Sequence, residues 1–92
     1  MFTHMAIHHP RPEHRDAVRA SMGRVDAAAA GSPGLIRINA WSEIDGIRLV
    51  GIAMWESREA FEAAAPRMFA AVADDPFDVW ETARAENFYL EA

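Results

Sequence analysis

The chain contains no cysteine. Disulfides, thiolate nucleophiles, iron–sulfur clusters and cysteine-bound zinc are therefore excluded, and a reducing, cytoplasmic location is expected. Lysine is also missing, since all nine basic residues are arginine. Schiff-base chemistry, a pyridoxal-phosphate lysine and a phosphate-loop lysine are excluded with it. Apolar runs are short, and none approaches the roughly 20 residues of a membrane span. The start, Met1-Phe2-Thr3-His4-Met5, lacks the basic region and long apolar stretch of a signal peptide. Positive charge is scarce as well. The formal net charge of −5 argues against a nucleic-acid surface.

What remains describes a folded domain. The 92 residues are 51% hydrophobic and 25% charged, which suits one globular unit covering 1–92. A domain this small buries only about 60% of its unfolded surface, so a second copy would help it.

Phe2 to His8 reads as a strand that ends at His9-Pro10-Arg11-Pro12. Pro12 suits a first helical turn, and Val18, Met22, Val25 and Ala29 recur on one helical face. This predicts a helix from about residue 12 to residue 30, stopped at Gly31. From Leu35 to Glu43, Ile36, Ile38 and Ala40 alternate with Arg37, Asn39 and Trp41, the pattern of a second strand. Asp45-Gly46 signals a tight turn into a third strand, Arg48 to Glu56, whose continuous apolarity marks it as central. Ser57 caps a second helical region. Pro66 lies inside it and predicts two short helices meeting near Ala65, or a kink there. Asp74-Asp75-Pro76 ends this region and starts one helical turn through Trp80. The last strand is expected over Ala83 to Leu90.

The order βαββαβ, with two right-handed crossovers around a hairpin, predicts an α+β fold of the ferredoxin-like kind. Its four-stranded antiparallel sheet would carry both helices on one face. The other face would hold apolar and aromatic side chains with nothing in the chain to cover it. A homodimer packed face to face is the expected answer.

The run Met54-Trp55-Glu56-Ser57-Arg58-Glu59-Ala60-Phe61-Glu62-Ala63 resembles a recurring element of the antibiotic biosynthesis monooxygenase family. There a Trp-Glu-Ser-x-x-Ala-Phe-like run joins the third strand to the second helix. Ser32-Pro33-Gly34-Leu35 resembles the family's turn into strand two, and Ala6-Ile7-x-x-Pro10 is similar to its first strand. The resemblance covers most of the chain and implies a dimeric α+β barrel. It also implies a cofactor-independent monooxygenase that uses O₂ on a small flat aromatic or polyketide-like substrate. Haem degraders of the family use an Asn, a Trp and a His at positions that hold Met5, Ala64 and Asp74 here. Aromatic monooxygenases of the actinorhodin type place an Asn, a Trp and a Tyr where this chain has Gly51, Trp55 and Phe61. The departures leave a non-catalytic ligand-binding or structural homodimer as the alternative, with haem degradation third.

Within this reading Trp55 stacks on the substrate or, as a large aromatic, packs the core. His8 is the preferred general base and His4 the second choice, because imidazole exchanges protons near neutral pH. An exposed or interfacial histidine is the plainer reading of both. His4 and His8 share a strand face about 13 Å apart, too far for one metal ion. Arg37 and Asn39 are candidates to hold an oxyanion or, more simply, line a solvated sheet edge. Met5, Phe61, Met68 and Phe69 are expected to line an apolar pocket or the core around it. Asp74, Asp75 and Asp78 read as helix capping around Pro76. No cofactor or metal is expected.

Overall fold

The computed structural model describes all 92 residues. Strand β1 runs Phe2–Pro10 and is followed by a short 3₁₀ turn, Pro12–His14. Helix α1 is Arg15–Ala29, strand β2 Leu35–Ser42 and strand β3 Leu49–Trp55. Helix α2 is Arg58–Ala70, the short helix α3 is Phe77–Trp80, and strand β4 is Glu81–Glu91. The sheet order is β2-β3-β1-β4, antiparallel throughout. This is the ferredoxin-like α+β fold with both helices on one sheet face, as the element order predicts.

Turn chemistry fixes the connections. Gly31 and Gly34 both adopt positive φ, at 77° and 82°, which lets the chain leave α1 and enter β2 within five residues. Asp45 sits at φ 59° in the β2–β3 turn, and the amide of Glu43 bonds the carbonyl of Arg48 across it at 3.0 Å. The Ser57 side chain accepts from the Ala60 amide at 3.1 Å and so caps α2.

Several boundaries differ from the sequence expectation. Helix α2 runs unbroken through Pro66 instead of splitting near Ala65. Pro66 is exposed, so the Glu62 carbonyl it leaves unpaired can turn to water. Phe61, Ala64 and Met68 are buried on the opposite face, and their packing outweighs the roughly 3 kcal/mol that an interior proline costs. Strand β4 begins at Glu81, two residues before Ala83, because α3 passes into it directly. Strand β1 also reaches Pro10, whose missing N–H falls at the strand end.

Register assigns every strand residue to a face. Toward the helices the sheet presents rows such as Ile38-Ala53-His4-Tyr89 and Ala40-Gly51-Ala6-Asn87. Phe2, Ala53, Trp55, Phe61, Ala64 and Met68 form the larger buried cluster with Ala29. Val18, Met22 and Leu49 form a second cluster nearer the start of α1. The outer face presents the rows Asn39-Ile52-Met5-Phe88 and Trp41-Val50-Ile7-Glu86. No element of the chain covers them.

Candidate active site

Between the inner sheet face and the helices lies a cavity of about 740 Å³. That volume is within the range of small-molecule sites. The floor is low because its central row is Gly51 and Ala6, with Ala53 beside them. Met22 and Val25 from α1, Met68 and Phe69 from α2, and Phe77 from α3 supply apolar walls. Each helix contributes because its apolar repeat points at the sheet.

Polar groups gather along β1 and β4. The Nδ1 of His8 lies 3.1 Å from Oε2 of Glu81. A carboxylate only accepts, so Nδ1 is the donor, and in the neutral ring the lone pair is on Nε2. The other Glu81 oxygen accepts the backbone N–H of His9 at 2.8 Å. Glu81 is buried, its side chain 3% exposed, and these two bonds satisfy it. Phe77 stacks against the His8 ring at 6.0 Å.

Two irregularities in the β1–β4 pairing make this contact. Ile7 pairs with Glu86, yet His9 pairs with Ala83 and Pro10 with Glu81. In regular register Glu81 would fall two residues beyond Pro10. The extra residues on β4 draw it back level with the end of β1, a common use of bulges beside functional sites.

His4 lines the same cavity four residues back along β1. Its Nε2 is 2.9 Å from Oδ1 of Asn87, and its ring stacks on Tyr89 at 5.0 Å. Burial among Phe61, Phe69 and Tyr89 lowers its proton affinity. The Asn87 bond opposes that lowering, and positive charge on His8 adds to it. His4 is therefore held toward its neutral form. From α1, Asp26 also lines the cavity, and burial raises its carboxyl against the attraction of Arg19.

The expected site residues divide into three groups. His8, Met68 and Phe69 line the cavity. Trp55 and Phe61 are buried behind it in the core, where their rings meet edge to face at 6.0 Å. Trp55 is fully buried with its indole N–H unpartnered, and it packs α2 on the sheet through Phe61 without lining the cavity. Met5, Arg37 and Asn39 lie on the outer face of the sheet. Arg37 donates to Asn39 Oδ1 at 2.6 Å and lies over the Trp41 ring. These three residues do not reach the cavity, because strand alternation turns them away from the helices. Glu81, Asn87, Asp26 and Arg84, which do line it, are absent from the sequence expectation. Only Glu81 carried a local signal, as an acidic residue just after a helical turn.

The positions matched to the haem degraders also fall apart. Met5 is on the outer face, Ala64 is in the core and Asp74 is in an exposed turn. No three His, Asp or Glu side chains are arranged to hold a metal ion, and no helix is long and apolar enough to cross a membrane.

No family model and no curated protein matches the sequence. Solved structures do match. Rv0793 from Mycobacterium tuberculosis superposes with a TM-score of 0.84 at 22% identity, over 99% of this chain and 93% of that one. SnoaB from Streptomyces nogalater, described as a cofactor-independent oxygenase, gives 0.79 at 21% identity, over 99% and 91%. An MhuD variant with two manganese protoporphyrin IX molecules per active site gives 0.76 at 21% identity, over 100% and 94%. The chain has the fold of the antibiotic biosynthesis monooxygenases. Within that fold the neighbours differ in what they hold, one acting without a cofactor and another carrying a porphyrin. The antibiotic biosynthesis monooxygenase fold thus leaves the chemistry of this cavity to its own side chains.

Proposed function

We propose that the protein is a cofactor-independent monooxygenase in which His8, oriented by Glu81, is the general base. The observation that carries this reading is the 3.1 Å His8–Glu81 contact at the wall of an apolar cavity. The substrate is a small, flat, electron-rich ring system with an acidic hydroxyl or methylene. It lies on the Gly51 and Ala6 floor between Met22, Met68 and Phe69.

His8 Nε2 takes a proton from the substrate, and Glu81 stabilises the resulting imidazolium. Asn87 and Arg84 line the cavity as donors for the substrate anion, the role the sequence suggested for Arg37 and Asn39. The anion then reduces O₂ directly. For a ring methylene the balance closes without another reductant. The carbon loses two hydrogens and gains one oxygen, and the second oxygen leaves with those hydrogens as water. The apolar walls keep bulk water from the anion.

The working unit is a homodimer. Ile52, Met5 and Phe88 form an uncovered row on the outer face beside Leu90, and a second copy would bury it.

The test is O₂ uptake with a panel of hydroxylated anthrones and naphthols, with free autoxidation as the baseline. Uptake above baseline that is lost in His8→Ala is expected. Equal uptake by His8→Ala and the unmodified protein would remove the base. Binding of the panel without uptake would leave a ligand-binding protein of the same fold.

A further inference from the structure

Charge around the cavity is uneven. Its ionisable lining, apart from His4 and His8, is Asp26, Asp78, Glu81 and Arg84. Glu81 is committed to His8 and the His9 amide. Asp78 and Arg84 are exposed. Asp26 is different: it is half-buried, lines the cavity from α1 where the histidines line it from β1, and makes no ion pair or side-chain hydrogen bond. Arg19, the cation of its own helix that attracts it, is engaged with Ser42 Oγ at 2.8 Å. Its carboxyl has no donor from the protein and opens on the cavity, so a ligand bound there can donate to it in place of water.

We propose that Asp26 is a specificity-determining residue that selects an uncharged ring bearing a hydroxyl on the side away from His8, and turns away ring carboxylates. The inference rests on the reading of the cavity as a site for a flat phenolic ligand. A ligand hydroxyl facing Asp26 donates to its carboxylate where the protein supplies no donor. A ligand carboxylate there sets two like charges in one partly desolvated site, and one of the two must take up a proton. Burial already raises the proton affinity of Asp26, the direction expected where a wall desolvates negative charge. The apolar neighbours Met22 and Val25 provide no compensation.

The experiment compares binding of a naphthalenediol with that of the hydroxynaphthoic acid in which a carboxylate replaces one hydroxyl. Affinity is read by calorimetry at pH 7, apart from turnover. The diol is expected to bind about tenfold tighter or more, and Asp26→Asn is expected to bring the two to within about threefold by improving the acid. Asp26→Ser repeats the comparison without an amide, so a folding defect in one variant does not decide the outcome. Equal binding of diol and acid by the unmodified protein overturns the inference, as does a preference that survives both substitutions. If the preference is found but the diol is never oxidised, Asp26 selectivity stands and the oxygenase reading falls. If neither compound binds, both fall.

Discussion

The imidazole of His8 and the carboxylate of Glu81 meet across two strands whose pairing is irregular at that point, 73 residues apart in sequence. Each member depends on the other. Glu81 is buried and has one side-chain partner, and His8 has its Nδ1 tautomer fixed by that partner. His8→Ala is expected to lower kcat for O₂ uptake by about 10²–10⁴-fold, the usual contribution of a positioned base. Glu81→Gln keeps the shape but removes the charge, and should lower kcat by a smaller factor with KM little changed. Steady-state kinetics of the two variants check this order. A Glu81→Gln loss larger than that of His8→Ala would contradict it.

Trp55 offers the opposite case. It is fully buried and does not line the cavity. Trp55→Phe should therefore leave kcat/KM within a few-fold of the unmodified protein, while Trp55→Ala should cost about 3–5 kcal/mol of stability. That is a large share of the roughly 5–15 kcal/mol a domain has. Chemical denaturation and O₂ uptake measured on both variants separate packing from chemistry. Strong loss of turnover in a stably folded Trp55→Phe would return this residue to the site.

The contrast between His8 and Trp55 shows what the sequence carries. Strand alternation already put His4 and His8 on one face, but Met5 was expected in the pocket although the same alternation turns it to the other face. It likewise put Arg37 and Asn39 together with Trp41. Alternation divides a strand into two faces but does not say which face meets the helices. Arg37 and Asn39 were legible as a pair and illegible as outer residues for that reason. Glu81 was hidden more deeply. Its place beside His8 needs two extra residues in β4, and a bulge leaves no periodic mark. The fold itself was legible because helix and strand periods alternate cleanly, and Pro66 misled only because its solvent-facing side is not a local property.

His4 gives stability a pH dependence. Its proton affinity is lowered in the fold, first by burial, so the unfolded chain protonates it near the ordinary value of 6.5 while the folded chain does not. Above that pH His4 is neutral in both states and contributes no slope. As pH falls below it, the unfolded state binds the extra proton and stability declines down to the folded value. Thermal unfolding followed from about pH 8 to about pH 5 should show this decline, and His4→Gln should flatten it. An unchanged slope in the variant would assign the decline elsewhere.

Asp75 fastens the segment between α2 and α3 to α1. It accepts from Ser21 Oγ at 2.7 Å and from Arg24 at 2.5 Å. The Ser21 bond, more than Arg24, holds its carboxyl below the ordinary value of 3.8. This stabilisation is present above that value and is lost as pH falls through the folded one. Asp75→Asn at neutral pH should cost about 1 kcal/mol, a fall in Tm of roughly 4–8 °C for a domain this size. The difference from the unmodified protein should vanish in acid, which melting curves at two pH values test.

The outer sheet face sets the last expectation. Met5 pairs with Ile52 on one side and Phe88 on the other, and Phe88 and Leu90 stay 39% and 50% exposed. Apolar surface of this kind on a small domain is stable when a second copy covers it. A charge placed in the middle of the row would be buried without a partner in such a dimer, at a cost of several kcal/mol. The same charge on a monomer would stay in water and cost little. Met5→Glu and Phe88→Glu should therefore run at the mass of one chain in light scattering, where the unmodified protein runs at two. Both variants should keep their far-ultraviolet circular dichroism, because the inner core around Trp55 is untouched. A single-chain mass for the unmodified protein would instead leave the face open for a different partner.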